Sequence, residues 1–289
     1  MKKAAFGAAL VGALAVSALA VPSAGATDSP LKRDYTRPTA EASARVAPLD
    51  ATAGTLDTVG DTQITDVTVH GGKSIDMGTT NLRTITVSMT ATDDSGIDDA
   101  YIDLWHGADW ASPDGLLVPN EDAATCTAVN ATTATCKLTI TIDPRVNLNN
   151  NLLAGTWKVT ADAYAKDGDY SFNDAIKTTT IKRYSRLTTN ASPEPVYKGK
   201  TITVSGFLSR ASWESPWSYK GYGGKSVTLQ YKRYGSAYSW TNVKTVTSAT
   251  TGDLKTTVTA GYDGYYRYVF AGNSASTAIT STSDFIDVK

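Results

Sequence analysis

The sequence predicts an all-β protein, with two tandem β-sandwich domains behind an export signal and a flexible leader. Three observations predict it. Apolar residues recur at every second position in short runs. Gly, Asn and Asp turn signals divide those runs. No window beyond the opening apolar segment sustains a 3.6-residue period. The expected divisions are 1–26 for the signal, 27–60 for the leader, 61–184 for the first sandwich and 185–289 for the second.

Lys2 and Lys3 precede an apolar, small-residue stretch from Ala4 to Val21, and Ala24-Gly25-Ala26 supplies the small residues of a cleavage site. The competing cut after Ala20 is poorer because Pro22 follows closely. No later segment approaches the ~20 apolar residues that span a bilayer. The expectation is therefore a secreted, extracellular protein with no membrane span in its mature form. Loss of Lys2 and Lys3 would leave the 28 acidic residues in slight excess over the basic ones. A nucleic-acid partner wants a strongly basic face and is not expected. Residues 27–60 are rich in Ala, Thr, Pro and charge without periodicity, which reads as a tether.

In the first sandwich, "RTITVSMTAT" places Ile85, Val87, Met89 and Ala91 on one face. "CKLTITID" does the same with Cys136, Leu138, Ile140 and Ile142, and "GTWKVTADAYA" with Trp157, Val159, Ala161 and Ala163. "TCTAVNATTATCKL" reads as a hairpin turning near Asn130–Thr133, with Cys126 and Cys136 on opposite arms. An oxidising compartment would join the two as a disulfide, and two free buried thiols is the alternative. A second set of runs starts near Arg186: "KTITVSGFL", "KSVTLQYKRY", "YSWTNVKTVT", "DLKTTVTA", "YYRYVFAG" and "SDFIDVK". Turn signals divide them at the spacing of a β-sandwich. The break falls at "IKRYSRLTTNASPEP", where basic and Pro-containing residues interrupt the alternation.

The segments "KGKTITVSGFL", "KSVTLQY", "TTGDLKTTV" and "DGYYRYVFAGN" resemble the bacterial immunoglobulin-like repeat of secreted actinobacterial proteins. "TATDDSGIDDAYIDL" and "LAGTWKVTADAYAKDGDYS" resemble, more loosely, another bacterial immunoglobulin-like module. The resemblance implies an immunoglobulin-like fold for each half and no single activity, since such modules act as spacers, adhesive units or enzyme appendages. It also implies that Tyr266, Tyr268 and Phe270 face one side of a penultimate strand and Tyr265, Arg267 and Val269 the other. A corner hydrogen bond from Tyr265 or Tyr266 would fit that strand.

Loops of an immunoglobulin-like sandwich gather at its ends, which would bring two acidic loops together. One carries Asp93, Asp94 and Asp98, with Asp99 beside them; the other carries Asp167 and Asp169, with Asp174 beyond. Calcium held by Asp93, Asp94, Asp98, Asp167 and Asp169 is one reading, and ordinary Asx turns are the other. The long segment 209–224 carries Trp213, Trp217, Tyr219 and Tyr222, which could bind an extracellular protein or a polysaccharide, or could cap the sandwich. No nucleophile elbow, zinc motif or phosphate loop is present, so no catalytic residue is expected. His106 with Asp109 could act as a base, or be a surface histidine at a strand end. A glycosidase pair drawn from the aspartates would lack an enclosed cleft. The expected function is a secreted, non-catalytic interaction or structural protein. A carbohydrate- or cell-wall-binding accessory protein and an inhibitor of extracellular enzymes are the alternatives.

Overall fold

The computed structural model describes residues 56–235 and 237–289. The expected signal and most of the expected leader lie outside the described residues. The first sandwich is built from β1 (Leu56–Val59), β2 (Gln63–Val69), β3 (Ile75–Met77), β4 (Arg83–Thr92), β5 (Ile97–His106), β6 (Gly115–Leu117), β7 (Thr125–Ala128), β8 (Thr133–Ile142), β9 (Gly155–Ala165) and β10 (Tyr170–Arg183). One sheet runs β2-β4-β8-β7. The other runs β1-β10-β9-β5-β6, with β3 parallel to the end of β10. Lettered in immunoglobulin style, these are A-B-E-D against G-F-C, and that strand order defines the fold.

Alternation explains the core. Ile85, Val87, Met89, Ala91, Cys136, Leu138, Ile140 and Ile142 from one sheet are buried against Ile102, Leu104, Trp157, Val159, Ala161 and Ala163 from the other. Between the inward positions of β4 and β8, pairs such as Thr84 with Thr141 and Thr90 with Thr135 share hydroxyl hydrogen bonds across the outer face. Cys126 and Cys136 sit directly opposite on β7 and β8 and form the disulfide. Its hairpin closes through the Val129 and Asn130 amides, both donating to the Thr133 carbonyl.

One boundary differs from expectation. Residues 56–59, assigned to the leader, form β1, which pairs with Tyr170–Asn173 at the sheet edge. Leu56 and Val59 remain exposed, so backbone pairing and the Tyr170 hydroxyl donating to Asp57 hold this strand. Without a buried face there is no alternation to find in the sequence.

The second sandwich contains β11 (Ser185–Leu187), β12 (Asn190–Ser192), β13 (Thr201–Ala211), β14 (Tyr219–Gly221), β15 (Ser226–Arg233), β16 (Thr241–Thr247), β17 (Asp253–Thr259), β18 (Gly264–Phe270), β19 (Ile279–Thr280) and β20 (Asp284–Ile286). Strand β13 pairs with β11, β12, β14 and β17, while the facing sheet runs β16-β15-β18 with β19 and β20 on the far edge of β18. Ile202, Val204, Leu208, Val227, Leu229, Tyr266, Tyr268 and Phe270 fill the core. Gly206 has no room for a side chain, since a Cβ there would run into the Thr188 carbonyl and lie 2.9 Å from the Tyr268 ring. The corner hydrogen bond comes from neither Tyr265 nor Tyr266. Tyr231 on β15 donates to the Tyr262 and Asp263 carbonyls instead, because Tyr265 faces outward and Tyr266 is directed into the core.

Candidate functional site

The acidic loops do converge. One carboxylate oxygen from each of Asp93, Asp94 and Asp167 lies within 4.8 Å of the others, and the same holds for Asp61, Asp93 and Asp169. Asp98 belongs to neither group: the register shift between Ile97 and Asp99 is a bulge, and Asp98 is an exposed residue of β5. Asp61 was missed, because it follows a stretch whose composition reads as tether. Its backbone N–H donates to Asp169 Oδ2 at 3.2 Å.

Asp93 is the buried member. Thr62 Oγ1 donates to its Oδ2 at 2.6 Å, and the Ser95 amide and hydroxyl donate to its Oδ1. Burial pushes the Asp93 carboxyl up, but these hydrogen bonds outweigh burial and hold it below the ordinary value of 3.8. Asp61 is displaced the other way, raised by desolvation and by the negative charges of Asp94 and Asp93. The cluster therefore combines one well-satisfied carboxylate with neighbours that repel. Its donor set is all oxygen, which suits a hard cation such as calcium.

The segment 209–224 is not an open loop. Ser209–Ala211 pairs with Tyr219–Gly221, so it is a β13–β14 hairpin with its turn at 212–218. Trp213 cannot serve as a ligand platform, since it is 0% exposed. It also does not cap its own sandwich: its side chain belongs to the core cluster of the first sandwich. Its indole N–H donates to the Gly78 carbonyl at 2.9 Å, and its amide donates to Asn151 Oδ1 at 2.9 Å. Asn151 in turn donates from its side chain to Ser212 Oγ and from its backbone to Glu214. Trp217 is 38% exposed and adopts φ 43°, a left-handed conformation that a bulky residue rarely takes.

Only Tyr184 separates β10 from β11. The connection is fixed by the Tyr184 amide on the Met77 carbonyl, the Ala211 amide on the Tyr184 carbonyl, and two hydrogen bonds between Ser185 and Thr277. Arg183 is buried here and donates through Nε to the Ala211 carbonyl. Burial, with Arg210 nearby, pushes its pKa down to about 10, opposed by Glu214 and Tyr222. Tyr222, also buried, packs edge-on against Phe270 and accepts from Asn273. Beside the junction lies a cleft of ≈ 550 Å³ lined by residues 76–83, from the end of β3 to the start of β4, with Tyr184, Arg186 and Tyr219.

Two of the aromatic candidates, Tyr219 and Tyr222, are already engaged. Arg186 stacks 3.5 Å from the Tyr219 ring centre, and Arg210 and Lys225 lie over the Tyr222 ring at 3.9 and 4.7 Å. His106 does not pair with Asp109. Its Nδ1 meets Asp114 Oδ1 at 2.5 Å, while Asp109 accepts the Ala111 amide in a turn.

Residues 77–163 match a family of unknown function (DUF5707), well under half of the chain. No curated protein matches the chain. Among solved structures it is similar to a marsupial T cell receptor, with TM-score 0.41 and 12% identity over 78% of this chain and 72% of that one. It is also similar to the D0-D1 domain of intimin, with TM-score 0.25 and 14% identity over 77% of this chain and 98% of that one. A third likeness is to chimeric titin Z1Z2 functionalized with a decorin peptide, with TM-score 0.22 and 10% identity over 79% and 96%. The immunoglobulin-like assignment rests on the strand order of the two sandwiches.

Proposed function

We propose that the chain is an exported, non-catalytic interaction protein in which two immunoglobulin-like modules act as one rigid body at or beyond the cell surface. The observation that carries this reading is Trp213, a residue of the second module buried in the core of the first. A joint of this kind suits a protein that presents surfaces at fixed separation, and the disulfide suits an oxidising compartment. The engaged rings of Tyr219 and Tyr222 favour a protein partner over a sugar, which stacks on an open aromatic face. Export is tested by fractionating the culture and sequencing the N-terminus: protein in the medium beginning at Thr27 is expected, and protein found only inside the cells and beginning at Met1 would refute export. The choice of partner class is tested by sedimentation with purified cell wall and chitin. The protein is expected to stay in solution; co-sedimentation lost on Tyr219→Ala would establish the carbohydrate alternative.

The two overlapping carboxylate groups favour a second role for the first module, as a calcium-stabilised one. Asp93 would hold the ion either with Asp94 and Asp167 or with Asp61 and Asp169. Millimolar calcium over a ~0.1 mM site adds roughly 1.4 kcal/mol by mass action. Melting curves that coincide in calcium and in chelator would leave these aspartates as turn residues.

A further inference from the structure

The two sandwiches carry opposite charge. Residues 56–184 hold 18 acidic and 9 basic residues, whereas residues 185–289 hold 6 acidic and 12 basic ones. Each excess has a centre. In the first sandwich it is the loop end, where Asp61, Asp94 and Asp167 are exposed beside the half-buried Asp169, in two groups that share Asp93. Lys166 lies against the same end, at the Gly96 turn, and among the described residues it makes no ion pair within 4.0 Å. In the second sandwich the excess gathers around Tyr222. Arg210 and Lys225 lie 3.9 and 4.7 Å from the centre of its ring. Lys220, which is exposed, sits directly opposite Arg210 in the β13–β14 register, so the two share one side of that hairpin. The buried Arg183 adds a fourth charge, close enough to Arg210 for the two to repel.

Neither patch is neutralised within the molecule. Among the described residues, Arg183, Arg210, Lys220 and Lys225 have no carboxylate within 4.0 Å. Two acids of the adjoining segments are engaged in other ways: Glu214 accepts the Asn151 amide, and Asp253 accepts the Thr251 hydroxyl. The acidic patch is also out of reach. Its residues 166–169 join the end of β9 to the start of β10, while Arg183 closes the far end of β10. That strand has 14 residues, so at about 3.3 Å per residue roughly 40 Å separates the two patches. The distance is several times the Debye length of ~10 Å at 0.1 M salt, so the patches do not screen each other. Each finds its complement on another copy of the chain. Stacking on Tyr222 restricts Arg210 in advance, so less freedom is lost when its fork meets a carboxylate.

We infer that the chain associates with itself, the acidic loop end of one copy docking on the Arg210, Lys220 and Lys225 patch of the next. The inference rests on the reading of the chain as an interaction protein and names a second copy as its partner. A contact between unlike patches is heterologous, so it can repeat from copy to copy. The test is sedimentation velocity of the mature protein at low and high salt, with chelator present so that the carboxylates are unoccupied. Wild-type protein is expected to associate at low salt and to become monomeric as salt rises. Two charge-reversed proteins, Lys220→Glu with Lys225→Glu and Asp94→Lys with Asp167→Lys, should each associate at least tenfold more weakly. An equimolar mixture of the two should associate again, because each supplies the patch that the other has lost. Lys232→Glu, on the outer face of β15, is expected to change the affinity less than twofold. Melting temperatures within a few degrees of wild type establish that each variant is folded. A monomer at every salt concentration, equal loss in Lys232→Glu, or a mixture that stays monomeric would overturn the assignment. None of those outcomes touches export or the rigid joint, which are measured separately.

Discussion

Trp213 decides how a single side chain can belong to a domain it is not encoded in. Its ring fills space in the first sandwich and its N–H meets the Gly78 carbonyl, so Trp213→Ala is expected to cost about 3–5 kcal/mol in denaturant unfolding. A loss below 1 kcal/mol would mean the site does not depend on the ring. Trp217 behaves oppositely: it is partly exposed with φ 43°, and Trp217→Gly should be neutral or stabilising by up to about 1 kcal/mol. Asp93 sets a pH dependence. Its folded pKa lies below 3.8, so its stabilisation is present above that value and is lost as pH falls through the lower folded one. Glu121, held down chiefly by hydrogen bonds from Thr139, acts in the same direction. Acid titration of stability should therefore show a fall below about pH 4 that is shallower in Asp93→Asn; identical slopes would sink this assignment. Aspartates at turns were legible as a group, but their geometry was not. Asp98 is turned away by a bulge, and Asp61 arrives from a distant part of the chain.

Strands with one buried face were readable because alternation is the physical cause of their burial. The inward residues of β4, β8, β9 and β18 fall where period two places them. Strand β1 was not readable, since its stability comes from pairing rather than burial. The β13–β14 hairpin has no clear signal in the sequence, because Ser, Pro and Trp at 212–218 interrupt the two arms and only three residue pairs join them. The β7–β8 hairpin is held by both its disulfide and its turn. A bridge across 10 residues stabilises by about 3 kcal/mol or less in the chain-entropy description. Replacing both cysteines with alanine should lower stability by about 2–3 kcal/mol while leaving the far-ultraviolet spectrum unchanged. A collapse of that spectrum would assign the bridge a larger role than pinning register.

At the scale of the whole molecule, the sequence revealed two modules but not their coupling. Nothing local to residues 209–224 states which core Trp213 enters; that choice is made by Asn151, Gly78 and the single-residue connection at Tyr184. Both sandwiches accordingly belong to one compact unit. Under the proposed function, the contacts that Trp213 makes across the junction hold the surfaces of the two modules at a fixed separation. Differential scanning calorimetry tests this most directly. Wild-type protein is expected to unfold in a single transition whose calorimetric and van't Hoff enthalpies agree for both sandwiches together. In Trp213→Ala the transition should split in two, with the first sandwich melting earlier. Two resolved transitions in the wild-type protein, or one unsplit transition in Trp213→Ala, would contradict the account.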